Sequence, residues 1–567
     1  MRKYLLLALT VLSAPAGAEG SNGIDALSDA YVNIRLARDP FAGMTAGLVD
    51  PASVRLPDRS ETALAELDAR EDALAQQLAT LRTTAPDAAL LNILLDTDRG
   101  LRICRRELWN VSHMTGWQIG LSGFAAQQPV GTPEQRAAAL AFWGDLPRFV
   151  DVEIANLRRG LAQGYSVPQP VVRRVLQQFD GALAAPADKA PLLAPARRAG
   201  DAAFTAEFTR LFDSAVKPAL ARYRDFLRDD YLPRARTSLG LSALPDGSAC
   251  YEAQLRFYTT LGRDARGVYA LGEKTVADNK AAVTKIGRKT LGTPDFAATV
   301  RKAAEAADNR FQSEDELLAF LRTAVAAGET KSKPYFLTPV AQPIAVEPLP
   351  DFQRGSGIPS HYQPSPDPAR PAIYRTASEQ WARMSRGDAE VTAMHEAVPG
   401  HHLQTVLGRQ SGAPSRLARV ASNPAYFEGW GRYAEGLAEE EGAYSTPYAA
   451  IARRVWPGRG MVIDPGLHMF GWTREQAVAF IVESGRFSPE EADAMVDRMA
   501  AMPAQMTAYD SGALEIAALR REAEKRLGKR FDIRRFHASV LEAGSVPLSL
   551  VRDHVEAWIA AEAGKRK

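Results

Sequence analysis

Ten of the chain's 36 prolines fall within residues 334–371. Each proline removes a backbone donor and disfavours a helical residue before it, so this stretch cannot be regular helix. It divides a chain that otherwise reads as helical. Before it, residues 61–81, 87–108, 133–161, 204–231 and 314–327 carry apolar residues at three- and four-residue spacing between charges. After it, the same spacing returns in 474–484, 489–502 and 513–527. Inside it, 344–347 and 372–376 predict short strands. The fold class expected is therefore mainly α, one large helical domain over residues 24–567. Residues 24–330 would build a helical wall, and 331–567 the other half. No fixed-period repeat suggests a solenoid.

The first 18 residues read differently. Arg2 and Lys3 precede the apolar run 4–12, and Ala16-Gly17-Ala18 supplies small residues for cleavage. This is the pattern of a secretory signal peptide, which predicts an exported, periplasmic or secreted protein. The run is too short to span a bilayer, and no comparable one follows. The chain holds 69 Lys and Arg against 67 Asp and Glu, and removing Arg2 and Lys3 leaves the two counts equal. Such a balance excludes the basic surplus of a nucleic-acid binder. Two cysteines, Cys104 and Cys250, are too few for a disulfide scaffold or a cysteine-built zinc site. In an oxidising compartment they either pair or stay as buried thiols.

The chemistry concentrates in Met394-His395-Glu396-Ala397-Val398-Pro399-Gly400-His401-His402-Leu403-Gln404. Three of eight histidines fall within eight residues, beside a glutamate. A zinc-hydrolase helix usually reads H-E-x-x-H, since positions i and i+4 share a face. Here position 399, where the second histidine should stand, is proline. In an unbroken helix His401 would point about 120° away from His395, and His402 would lie about 10 Å along the axis. Pro399 and Gly400 together allow a distortion that brings a second histidine round. Spacing alone does not choose between His401 and His402. A single histidine beside the apolar stripe of Val391, Met394 and Val398 would read as packing, but histidine, glutamate and two more histidines favour a metal.

A second cluster follows in Tyr426-Phe427-Glu428-Gly429-Trp430-Gly431-Arg432-Tyr433-Ala434-Glu435. Glu428 and Glu435, seven apart, share a helix face, and Gly431 on that face admits a neighbouring helix. Glu428 would supply the carboxylate that a His, His, Glu zinc site needs. A solvated acidic face suits Glu439 to Glu441 better than Glu428, which aromatics flank.

His395-Glu396-x-x-Pro399-Gly400-His401-x-x-Gln404, with Glu428-Gly429-Trp430-x-x-Tyr433-x-Glu435, resembles the bacterial family known as domain of unknown function 885. That family is similar to the gluzincin metallopeptidases. Further matching blocks are Arg38-Asp39-Pro40, Tyr251, Tyr258-Thr259-Thr260, Asp464-Pro465-Gly466-Leu467-His468, Gly471 to Ala477 and Phe536-His537. Relatives can carry tyrosine at the position of His402, which favours His401 as the ligand. The chain departs from the family at Asp510, a usual lysine, and at Ala504, a usual glycine. If that lysine touches substrate in relatives, specificity here differs.

The resemblance and the residues together predict zinc held by His395, His401 and Glu428, with Glu396 as general base. Glu435 and His402 would orient ligand side chains. Tyr509 and His468, ahead of Arg498 and Arg454, would donate to the oxyanion. The expected activity is hydrolysis of short peptides, favoured over folded proteins because helical mass and the proline-rich segment restrict access. An extended peptide would pair with a strand beside the metal helix, as the resemblance implies. The alternatives are a non-peptide amide or ester hydrolase, and an exported binding or scaffold protein with a degenerate zinc site.

Overall fold

The computed structural model describes residues 19–350, 354, 359–365, 367–410, 412 and 414–564. The segment read as a signal peptide, residues 1–18, lies outside them. The protein is mainly helical, with one three-stranded sheet of order β1-β3-β2. Helix starts follow local chemistry. Ser60 caps Glu61–Thr80, Ser385 caps Arg386–Glu396, and capping boxes open Pro133–Gly144 and Pro489–Ala501. Residues 133–161 form two helices rather than one, Pro133–Gly144 and Leu146–Ala162, because Pro147 starts the second. The helix expected over 87–108 ends at Leu101 and gives way to tight turns as far as Trp109.

β1 (Ile344–Pro348) runs parallel to β3 (Ala372–Thr376), with Val346 opposite Tyr374. β2 (His361–Gln363) pairs antiparallel with the other edge of β3, placing Tyr362 opposite Tyr374. The edge strand on that side is therefore β2, which the sequence did not disclose. It is three residues long between Pro359 and Pro364.

Three apolar cores fix the site. The largest joins residues between Val54 and Val268 and also takes in Met461, Ala500, Ala501 and Ala504. The N-terminal wall and the second half thus share one interior. A second core packs Ala425, Trp430 and Leu437 against Ile516, Leu519 and Val555. A third lies under the Arg386–Glu396 helix, where Ala393 and Met394 meet Leu317, Leu321, Val346 and Tyr374. Cys104 and Cys250 are disulfide-bonded, joining the turn after Leu101 to helix Gly247–Thr259. No helix among the described residues is long and apolar enough to cross a membrane.

Candidate metal centre

The Arg386–Glu396 helix stops immediately after His395-Glu396, and a new helix, His401–Gln410, begins at His401. The turn between them contains a cis Val398–Pro399 bond. Gly400 is required there: a Cβ on it would stand 1.9 Å from the His395 carbonyl oxygen. Trp430 Nε1 donates to the Pro399 carbonyl at 2.9 Å, tying this turn to helix Pro424–Glu440, which carries Glu428.

The result brings His395, His401 and Glu428 together, one ligand atom of each lying within 4.8 Å of the others. Glu428 Oε2 is 3.4 Å from His395 Nε2 and 3.7 Å from His401 Nε2. Tetrahedral zinc with bonds near 2.0–2.1 Å sets its ligands about 3.3 Å apart, so two imidazoles and a carboxylate at these spacings fit zinc. The other ring nitrogens are held. His395 Nδ1 lies 2.9 Å from Glu435 Oε1, and His401 Nδ1 lies 3.3 Å from Gln404 Oε1. Each contact leaves Nε2 directed at the shared centre. Gly431 makes the room. A Cβ on it would meet His395 Cε1 and Nε2 at 2.7 Å. Phe427, itself 37% exposed, stacks on the outer face of His401 with ring centroids 3.8 Å apart.

Charges in the cluster are strongly coupled. Burial opposes protonation of His395, but Glu428 and Glu435 outweigh it and raise its pKa to about 10. Burial opposes ionisation of Glu428, yet His395 and His401 hold its carboxyl far below the ordinary range. Glu435, also buried, is held low by Arg432 and His395. Arg432 Nη1 reaches both Glu435 oxygens, at 2.9 and 2.8 Å, and Arg432 Nε lies 3.4 Å from Asp510. A chain His395–Glu435–Arg432–Asp510 thus runs back from the cluster, and at its far end burial raises the Asp510 carboxyl against the pull of Arg432.

Glu396 stands next to the cluster, where His395, His401 and Glu428 act on its charge, and is held from the sheet. Its Oε2 accepts the Tyr362 backbone N–H of β2 at 2.8 Å, and burial pushes its carboxyl up. His402 orients no ligand: Nε2 lies 2.8 Å from the Gln342 carbonyl and Nδ1 3.3 Å from the Tyr362 hydroxyl. It fastens its helix to the entry of β1 and to β2, and so reaches Glu396 only through Tyr362. Tyr509 lies near the cluster. Burial raises its pKa, with Glu428, Arg498 and Gln505 acting on it. His468 does not join it. Leu241 N–H donates to its Nδ1 at 3.2 Å, its Nε2 lies 3.1 Å from the Met499 carbonyl, and burial drops its pKa to about 3. Both ring nitrogens are spent on backbone, so His468 has no proton left for an oxyanion. Arg454 is held by Glu439 at 2.8 Å.

Over residues 40–555 the chain matches the model of a bacterial family of unknown function, DUF885. The chain belongs to this family. Two solved structures share its fold at 20% identity. A protein of Colwellia psychrerythraea, titled a "putative lipoprotein", has a TM-score of 0.86 and covers 95% of this chain and 99% of its own. One of Shewanella oneidensis, titled in the same words and of unknown function, has a TM-score of 0.76 with 94% and 99% covered. No curated protein matches the chain. Against the DUF885 pattern read from sequence, Asp510 proves to be buried behind the Glu428 helix. It is 3% exposed, accepts the Gly458 N–H at 2.8 Å and faces Arg432. Ala504 adopts a left-handed φ of 69°, a conformation that glycine takes without cost.

Two contributors were not assigned from sequence. Arg432 had a signal, since it stands three residues before Glu435 on one helix, a spacing at which opposite charges meet. Tyr362 had none, because its contribution is a backbone N–H in a strand between prolines.

Proposed function

We propose that this protein is an exported zinc-dependent peptidase of gluzincin-like chemistry that cleaves short peptides. The observation that carries the reading is the convergence of His395, His401 and Glu428 with Glu396 beside them. A structural zinc site is usually closed by four protein ligands and rarely keeps an adjacent glutamate held apart by a strand amide. Zinc bound there would supply a Lewis acid and an acidified water. Glu396, anchored by Tyr362, would accept a proton from the attacking water and return it to the leaving amine. Tyr509 would donate to the oxygen that gains charge. Glu435 and Gln404 hold the two imidazoles in the tautomer that presents Nε2. Export is supported by the signal-like N-terminus and by the lipoprotein titles of the two structural relatives.

The test is metal analysis together with peptide digestion. Wild type is expected to retain one zinc, and His395→Ala and Glu428→Ala to lose it. Glu396→Gln should keep zinc and fold while losing hydrolysis. Unchanged zinc in both ligand variants would end the proposal. Unchanged hydrolysis of peptides by Glu396→Gln would remove the general base.

A further inference from the structure

The ring of Phe427 touches a metal ligand on one side and lines a cavity of about 750 Å³ on the other. We infer that this cavity is the subsite for a large apolar side chain of the peptide, on a residue within two positions of the bond that is cut. The inference rests on the peptidase reading and names the side-chain preference of that same site.

The wall nearest the metal cluster consists of Gln404, Tyr426 and Phe427. Phe427 stacks on His401 with ring centroids 3.8 Å apart and the planes 6° from parallel. Gln404 serves both sides as well. Its Oε1 lies 3.3 Å from His401 Nδ1, and its Nε2 donates to the Tyr426 carbonyl at 3.2 Å. A ring and an amide thus belong at once to the cavity wall and to the support of a metal ligand. Glu428, next to Phe427 on the same helix, is the least buried of the three ligands, so the cluster opens toward Phe427. A group stacked on the free face of Phe427 would stand two such ring spacings from His401. That is about the advance of two extended residues, at ~3.3 Å each.

The base of the cavity is apolar. Leu90 is buried there, and Ala418, Val546 and Leu550 border it, all packed in one apolar core. The rim carries both signs of charge, Arg409 and Arg419 against Asp87 and Glu542. Both arginines already donate to backbone, Arg409 to the Ser365 carbonyl and Arg419 to those of Ala46 and Gly47. A balanced rim gives a ligand no sign to match, whereas the base rewards burial of carbon. The volume lies in the range of about 300–1,000 Å³ that encloses drug-sized ligands, enough for a bulky side chain with its backbone. Gly408 also borders the cavity, and a Cβ on it would meet nothing within 4 Å. The space can therefore be filled from helix His401–Gln410 without displacing a neighbour.

The experiment uses the full mature protein loaded with zinc. Its probes are free-ended hexa-alanine peptides in which Phe, Leu, Ser or Glu replaces each position in turn. Cut sites and rates are read by mass spectrometry. Phe or Leu at one position, fixed relative to the cut and within two residues of it, should raise kcat/KM at least about tenfold over Ser or Glu, the scale set by burying a large apolar side chain. Gly408→Phe should bring the Phe peptide down to the Ser peptide's rate with zinc content unchanged. Gly408→Ala, which leaves the space open, should keep the preference. A second measurement leaves the cavity intact. The same peptides carrying benzoylphenylalanine, bound to Glu396→Gln and irradiated, should attach near Leu90, Ala418 or Val546. Equal rates for all four residues, an equal loss on the Phe and Ser peptides in Gly408→Phe, or attachment elsewhere would overturn the inference and leave the peptidase reading standing. Fastest cutting with Glu would assign the charged rim instead and overturn it too. If no peptide is cut but the label reaches this wall and Gly408→Phe prevents it, the cavity keeps its apolar ligand and the peptidase reading falls. No cutting and no labelling removes both.

Discussion

The two flanks of the His395–His401–Glu428 cluster treat buried charge in opposite ways. Behind it, His395, Glu435, Arg432 and Asp510 alternate in sign, and Arg432 reaches an acid on each side. Beside it, neither Arg498 nor Arg106 forms an ion pair with a carboxylate among the described residues, and Asp464 forms none with a cation, its Oδ1 taking the Tyr251 hydroxyl and the Ala504 N–H instead. Matched charges fix geometry, because moving any one strands its neighbours. Unmatched ones give up that mutual constraint and keep the cost of their burial. The difference separates paired from unpaired buried charge within one molecule.

The largest expected effect comes from disturbing the matched flank at its closest contact. Gly431→Ala would drive a methyl into the His395 ring, where a Cβ has only 2.7 Å. Zinc retention should fall by orders of magnitude, measured as metal content after dialysis, while helix content by circular dichroism stays. Full zinc in this variant would mean that the metal does not use His395.

Next in size is Arg432→Met, which strands Glu435 and Asp510 together. Removing one member of a buried pair costs about 3–5 kcal/mol, so the denaturant midpoint should drop clearly. Zinc affinity should fall about 10- to 100-fold, because Glu435 would lose the partner that holds it on His395. A loss no larger than that of an exposed arginine would show that the alternation does not matter.

A smaller effect, with a sign set by pH, belongs to Asp464 on the unmatched flank. Its folded pKa, about 7, lies above the ordinary carboxylate value of 3.8, so the folded state binds more protons between these values. Stability therefore falls as pH rises through this window. Asparagine can keep the acceptor for Tyr251 and Ala504 without a charge. Asp464→Asn should match wild type near pH 4 and exceed it near pH 8 in thermal melts. A variant less stable than wild type at pH 8 would contradict the assignment.

The smallest effect sharpens the comparison most. Arg498→Met removes a cation that pairs with no acid, so stability should change by no more than about 1 kcal/mol in either direction. Side by side with Arg432→Met, it measures the two flanks on one scale. Equal losses would erase the distinction.

How much of this was legible depends on what each residue needs from its neighbours. His395, Glu396 and Glu428 could be read because their types and spacing carry the signal within single helices. His401 could not be separated from His402 by spacing, since the choice rests on backbone torsions in 397–400. The family resemblance favoured His401, and the structure turns that ring toward Glu428 and His402 toward Gln342. Periodicity found most helices but ran 133–161 together, because one proline at a helix start looks like one inside a helix. β2 is too short for any alternation to show. His468 was chosen for its protons, and a sequence cannot reveal that two backbone groups had already engaged both nitrogens. Arg498 was ranked low for want of context: an arginine becomes notable only once its neighbours are seen to be busy with other partners.

The disulfide has a bearing on when the molecule becomes complete. Cys104 stands two residues before Arg106, and Cys250 lies on the helix that carries Tyr258, so one covalent bond ties these two segments together. Those cysteines are 146 residues apart, a closure worth up to about 5 kcal/mol of chain entropy. In a chain still in the reducing cytoplasm, these segments would be joined by packing alone. The join between these two segments would then reach full strength only where the thiols have become a bond.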